Sequence, residues 1–172
     1  MASEPVIRHE QADDAAAIAA LVAAAFGRDA EAELVAALRV QQGLALSLVA
    51  LIEDELVGHV ALSPVSVAGR SGGGRWLGLA PLAVAPARQR EGIGRRLAQA
   101  ALAHAAAAGA SAVFVLGEPG YYSALGFAAA AGLGWRCIYD APPAAFRVRL
   151  LGEARDRPPP GTVSYHAAFA AL

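Results

Sequence analysis

Lysine and asparagine are missing altogether from the 172 residues, and cysteine and methionine occur once each. Without lysine there is no Schiff-base amine, no phosphate-loop lysine and no kinase strand lysine, so those chemistries are closed to the chain. The lone Cys137 cannot form an internal disulfide or a cysteine-rich zinc site. His9, His59, His104 and His166 show no metal-ligand spacing, and His9-Glu10 lacks the second histidine of a zinc-helix pattern. No metal is expected. Charge is also scarce: 17% of residues are charged, and 14 basic against 15 acidic groups leave a net charge of -1. So neutral a balance gives no surplus cationic field for nucleic acid, and an anionic ligand must be met locally.

What the chain has instead is alanine, 45 of it, which inflates a hydrophobic share of 56% without adding much apolar surface. The length suits one globular domain, residues 1–172, able to bury roughly 70% of its unfolded surface. Leu97 to Gly117 runs 21 residues without a charge but contains Gln99, His104, Gly109 and Ser111. That reads as helix, turn and strand rather than a membrane span. Met1 to Glu10 has neither the basic start nor the apolar stretch of a secretory signal. A cytoplasmic protein with reduced Cys137 and no membrane partner is expected.

Pro5–Arg8 is a short strand; Asp13-Asp14 open a helix carrying Ile18, Leu21 and Val22, and Gly27 closes it. Ala30–Arg39 is an amphipathic helix. Leu44–Ile52 and Leu56–Val67 form a hairpin about Glu53-Asp54-Glu55, and Gly69–Gly74 leads into a third strand, Trp76–Val84. Glu91–Ala108 reads as helix, Ala112–Leu116 as a buried strand, and Tyr121–Leu125 as a short helix. Strands follow from Gly126, the last at Thr162–Phe169 after Pro158-Pro159-Pro160. A strand, helix and strand over Leu79–Leu116 implies a parallel pair in an otherwise antiparallel sheet, with ligands favouring the carboxyl ends of those strands.

The informative stretch is Leu82-Ala83-Val84-Ala85-Pro86-Ala87-Arg88-Gln89-Arg90-Glu91-Gly92-Ile93-Gly94-Arg95-Arg96-Leu97, a strand passing through a glycine-punctuated loop into a helix. The first amides of a helix have no partners within it and lie at the positive end of its dipole, an arrangement suited to a pyrophosphate. Arg88, Arg90, Arg95 and Arg96 supply the local positive field.

Gln89-Arg90-Glu91-Gly92-Ile93-Gly94 resembles the Q/R-x-x-G-x-G/A acetyl-coenzyme A signature of the GNAT N-acetyltransferase superfamily. Tyr121-Tyr122-Ser123-Ala124-Leu125-Gly126-Phe127 resembles that family's later aromatic-Tyr-x-x-x-Gly-Phe motif, and Leu116-Gly117-Glu118-Pro119-Gly120-Tyr121-Tyr122 is similar to a bacterial branch of acetyltransferases. The resemblance is strongest from Leu79 to Phe127 and weak over the N-terminal helices, where acceptor selection usually resides. It implies a mixed α/β GNAT fold, a central sheet of about seven strands with helices on both faces. It also implies transfer of acetyl from acetyl-coenzyme A (acetyl-CoA) to a primary amine, by direct attack in a ternary complex. An acyl-CoA-binding sensor that turns nothing over is the alternative from another class.

The resemblance carries site roles with it. Backbone groups of Leu82, Ala83 and Val84 would pair with the pantetheine arm as with another strand. Gln89, Arg90, Glu91, Gly92, Ile93, Gly94 and Arg95 would form the pyrophosphate loop, and a strand amide near Leu82 would polarise the thioester carbonyl. Tyr122 would contact the cofactor sulfur and protonate the leaving thiolate. Glu118 is the first expectation for a base that deprotonates the amine, directly or through water, with His59 second; Glu118 capping the next helix is the bland alternative. A small-molecule or peptide amine would bind beside Gly27-Arg28-Asp29, the second helix and the His59 strand. Pairing into a homodimer through the apolar Val163–Phe169 strand is a further expectation.

Two other patterns fail on context. Gly69-Arg70-Ser71-Gly72-Gly73 matches a hydrolase nucleophile elbow but is followed by a strand where a helix is required. Gly92-Ile93-Gly94 begins a dinucleotide fingerprint, but Leu97 stands where the third glycine belongs.

Overall fold

β-Branched Val6 and Ile7 start β1 (Val6–His9), and the computed structural model, which describes residues 3–172, pairs it antiparallel with β2 (Leu46–Ile52). Met1 and Ala2, the start of the stretch read as lacking a secretory signal, lie outside the described residues. Two helices intervene, α1 (Ala15–Phe26) and α2 (Ala30–Val40). The hairpin from β2 to β3 (Glu55–Pro64) turns on Glu53 and Asp54, both at positive φ, the combination that a two-residue hairpin turn of matching twist requires. Then come β4 (Ser66–Val67), β5 (Arg70–Ser71), β6 (Trp76–Val84), α3 (Ile93–Ala107), β7 (Ala112–Leu116) and α4 (Pro119–Ala124). The chain finishes with β8 (Ala128–Ala129), β9 (Trp135–Cys137), β10 (Phe146–Leu150) and β11 (Gly161–Ser164).

Seven strands form a mixed sheet in the order β1-β2-β3-β6-β7-β10-β8, with β6 and β7 parallel as expected, and β5-β4-β11-β9 form a smaller sheet. The described residues divide into two compact units. The first takes the chain up to Leu62, Ala80–Ala101 and Ala167–Leu172; the second takes Ser63–Leu79 and Leu102–His166.

In the first unit, Val49 and Ala83 pack with Ile18 and Val22 of α1 and Val35 of α2. The opposite face meets α3, because a Cβ on Gly58 would stand 2.7 Å from Leu97 and 3.1 Å from Ile93. Helices therefore cover both faces of this part of the sheet. The second unit has its own core, in which Phe114 stacks on Phe146 and meets Trp135 edge-on, both at 5.5 Å between centroids.

Several boundaries differ from the sequence reading. α3 starts at Ile93, not Glu91, because Arg90 and Gly92 take positive φ and cannot begin a helix. α4 starts at Pro119, whose fixed φ suits a first helical position. The Leu56–Val67 strand is broken after Pro64, and its end becomes β4 of the smaller sheet. The Thr162–Phe169 strand stops at Ser164, and the alanine-rich tail coils into a short helical turn over Ala167–Ala171. β11 lies between β4 and β9 and is not an edge, while Val163 and Phe169 are buried in the chain's own core. The apolar strand expected to serve a homodimer is therefore not on offer.

Candidate functional site

In the first unit, Leu82, Ala83 and Val84 end β6, and the loop that follows is tied back when the Gln89 side-chain amide donates to the Val84 carbonyl at 3.2 Å. Gly92 has φ +85°, a turn that a side chain would strain. Ahead of α3 the first helical bond runs from the Arg96 amide to the Gly92 carbonyl at 3.1 Å. The amides of Ile93, Gly94 and Arg95 thus precede any intrahelical partner and point out of the helix start. The arginines divide by use. Arg88 lies 3.9 Å from Glu91 and Arg96 lies 3.2 Å from Glu4, whereas Arg90 and Arg95 have no acidic partner among the described residues. Free amides and two free guanidiniums make a local anion-binding surface on a chain of near-zero net charge.

In the second unit, β6 pairs with β7 only from Trp76–Ala112 to Gly78–Phe114. Leu79 on β6 and Val115-Leu116 on β7 lie beyond that ladder, so the parallel pair is open at the carboxyl end where the sequence reading looked for a ligand. α4 follows β7 at once. The Tyr122 ring is buried against Phe127 at 5.4 Å and Tyr121 at 5.0 Å, and Gly117 leaves it room, since a Cβ there would collide with the ring. The Tyr122 hydroxyl has no hydrogen-bond partner among the described residues and is not among the sealed, unpaired atoms. Burial, helped by Tyr121, pushes the phenol up to about 12. It is fully protonated at neutral pH and able to donate.

Glu118 is placed differently from a base. Its carboxylate accepts from the Gly120 amide at 3.0 Å and the Tyr121 amide at 2.6 Å, capping α4. Those two bonds, the Tyr121 one foremost, hold the carboxyl below its usual range and make it a poorer proton acceptor. The geometry is that of the helix cap weighed as the bland alternative.

His59 belongs to the first unit and is fully buried on β3, on the face shared with Val49. Its Nε2 lies 2.8 Å from Ser47 Oγ, which lies 2.8 Å from Glu10 Oε1; Glu10 is gripped by Arg39 through two bonds of 2.8 and 2.7 Å. A carboxylate only accepts, so the Ser47 proton goes to Glu10, and His59 Nε2–H must donate to Ser47. Nδ1 then carries the lone pair, buried and without a partner. Desolvation, only partly offset by Glu10, lowers the imidazole to about 4, so His59 is neutral. The Arg39 bonds hold the Glu10 carboxyl low.

The sequence reading named His59 but missed Glu10, Ser47 and Arg39, which are scattered along the chain and share no motif. Arg28, expected beside an acceptor, is instead bound to the buried Glu31 carboxylate three residues on. Also missed was a cavity of about 420 Å³ inside the second unit, around Trp135, Cys137, Tyr139 and Phe146, a stretch with no periodicity to signal it. Among the described residues, no helix is long and apolar enough to cross a membrane.

Strand order, an open amide-tipped helix after β6 and a tyrosine helix after β7 fit the class of acyl-transferring protein that the GNAT resemblance implied. Residues 15–133 match the profile of the acetyltransferase (GNAT) family, and the chain belongs to that family. Its relatives narrow the comparison. Over 165 residues it is 39% identical to the Escherichia coli K12 protein named "Uncharacterized N-acetyltransferase YhbS", covering 95% of this chain and 98% of that one. A crystal structure of YhbS in complex with CoA matches with a TM-score of 0.92 and 38% identity, over 99% of this chain and 94% of its own. A GNAT family acetyltransferase from Brucella melitensis in complex with acetyl-CoA matches with a TM-score of 0.81 and 39% identity, over 96% and 97% of the two chains.

Proposed function

We propose that residues 1–172 act as one cytoplasmic acetyltransferase domain that moves acetyl from acetyl-CoA to the primary amine of a small molecule or peptide by direct attack. The observation that carries this reading is the set of unpaired amides at Ile93, Gly94 and Arg95 beside the free guanidiniums of Arg90 and Arg95. A pyrophosphate supplies the acceptors those groups lack. The bound CoA of YhbS and the acetyl-CoA of the Brucella enzyme add support by likeness.

Within this reading the backbone of Leu82, Ala83 and Val84 pairs with the pantetheine arm, and the loop from Gln89 through Glu91 and Gly92 to Arg95 holds the diphosphate. A β6 amide near Leu82 donates to the thioester oxygen, which gains charge as the amine adds. Tyr122 donates to the departing sulfur. Because its phenol lies near 12 and a thiol ordinarily near 8.5, complete transfer is uphill by roughly 5 kcal/mol, so the hydroxyl acts mainly as a hydrogen-bond donor to the nascent thiolate. Glu118 fixes the start of α4 and thereby the aim of Tyr122, and the amine proton leaves through water.

Calorimetry with CoA and acetyl-CoA, followed by thiol release with a panel of amines, tests this. Uptake of cofactor with turnover of at least one amine is expected. No uptake overturns the reading, while tight uptake with every amine inert points to an acyl-CoA sensor.

A further inference from the structure

Inside the second unit, the cavity of about 420 Å³ has a floor made by the buried Trp135 and Phe146 rings. Tyr139 and Ile138, both exposed to a third or more, form an aromatic and aliphatic wall. Arg136 and Asp140 stand at its margin. Neither has an ion-pair partner among the described residues. Two separated, unspent charges of opposite sign above an aromatic floor match the two ends and the side chain of a zwitterion.

The cavity wall also continues toward the β6–β7 pair. Tyr139 stacks on Tyr165 with centroids 6.0 Å apart and planes 30° off parallel. Tyr165 fits against Gly78, where a Cβ would stand 2.6 Å from its ring, at the last rung that joins β6 to β7. The Tyr165 hydroxyl is buried, and burial foremost, with Cys137, Tyr139 and Tyr122 adding, pushes its phenol up. The cavity wall thus reaches the last β6–β7 rung through Tyr165.

We propose that this cavity is the acceptor site and that it selects an α-amino acid, or a close analogue, with an apolar or aromatic side chain. Arg136 takes the carboxylate, Asp140 takes the ammonium, and the side chain lies on Trp135, Tyr139 and Phe146. This rests on the acetyltransferase reading. The amine loses one proton to solvent before attack; nitrogen then bonds to the acetyl carbon, and the carbon–sulfur bond breaks. The second amine proton ends on the coenzyme thiol, so the products are an N-acetyl amino acid, CoA and one proton.

Calorimetry with L-phenylalanine, phenethylamine and 3-phenylpropionate, on protein already loaded with CoA, tests the proposal. Wild type should bind L-phenylalanine at least tenfold tighter than either single-charge probe. Asp140→Asn should weaken L-phenylalanine and phenethylamine about tenfold and leave 3-phenylpropionate unchanged; Arg136→Gln should do the reverse. Both side chains are exposed, so the variants should fold, and an unchanged melting temperature confirms it. CoA uptake with no L-phenylalanine heat at millimolar concentration overturns the acceptor assignment alone. Equal losses for all three probes in either variant also overturn it. Failure of CoA uptake overturns the acetyltransferase reading beneath it.

Discussion

Replacing Tyr122 with phenylalanine separates packing from chemistry more cleanly than any other change in this chain. The ring is 9% exposed and held by Phe127 and Tyr121, and phenylalanine keeps that packing. The hydroxyl gives up no protein hydrogen bond, because it has none among the described residues. Tyr122→Phe should therefore melt within about 2 °C of wild type, as expected of a substitution that leaves no cavity and no orphaned group. Turnover should fare differently. Loss of one desolvated donor to a developing anion costs about 10²–10³ in kcat, or roughly 3–4 kcal/mol. The KM for acetyl-CoA should move less than about threefold, since the proposed diphosphate site at the α3 amides is left untouched. The phenol lies near 12, so the wild-type pH profile should carry no alkaline limb from Tyr122 until pH approaches that value. Thiol release with an amine that wild type acetylates, alongside a thermal melt, reads all of this. Wild-type kcat in a folded Tyr122→Phe would remove the hydroxyl from the reaction.

Other outcomes follow from neighbouring geometry. Gly117→Ala puts a Cβ into the Tyr122 ring, so kcat should fall at least tenfold while CoA affinity by calorimetry holds; equal turnover would mean that Tyr122 has no fixed aim. Glu118→Gln should keep the acidic limb of the kcat profile, because the carboxylate is a helix cap; a limb that disappears would restore Glu118 as the base. The buried His59 binds its proton near 4 when folded and near 6.5 when unfolded, so the unfolded chain holds more protons in between. Stability should therefore fall as pH drops from about 6.5 to 4, by about 3 kcal/mol, with loss of the Glu10–Arg39 pair adding at the acid end. Denaturant titrations should show that slope flatten in His59→Gln, and an unchanged slope would assign it elsewhere.

Much of this architecture is local enough to be read from residue order. The Leu82–Leu97 strand, loop and helix and the Tyr121–Phe127 motif are contiguous, and contiguous segments carry their own signals in turn residues and helix starts. The same locality explains where the reading slipped. Val163–Phe169 looks like an apolar strand, but only its first half finds partners, in β4 and β9, and the rest follows alanine's helical preference. Glu118 looks like an acid at a strand end until Gly120 and Tyr121 turn their amides toward it.

Sequence by itself determined the family, the absence of lysine chemistry and the glycine-punctuated turn at Gln89–Arg95, because each depends on which residues are present or on neighbours a few positions apart. Tertiary structure alone decided the chain from Arg39 through Glu10 and Ser47 to His59, whose members are separated by 29, 37 and 12 residues. It alone also brought Tyr165 beside Tyr139 and opened the cavity lined by Trp135, Tyr139 and Phe146. Such contacts arise from sheet register and side-chain packing across distant segments, and no short-range pattern in the sequence encodes them.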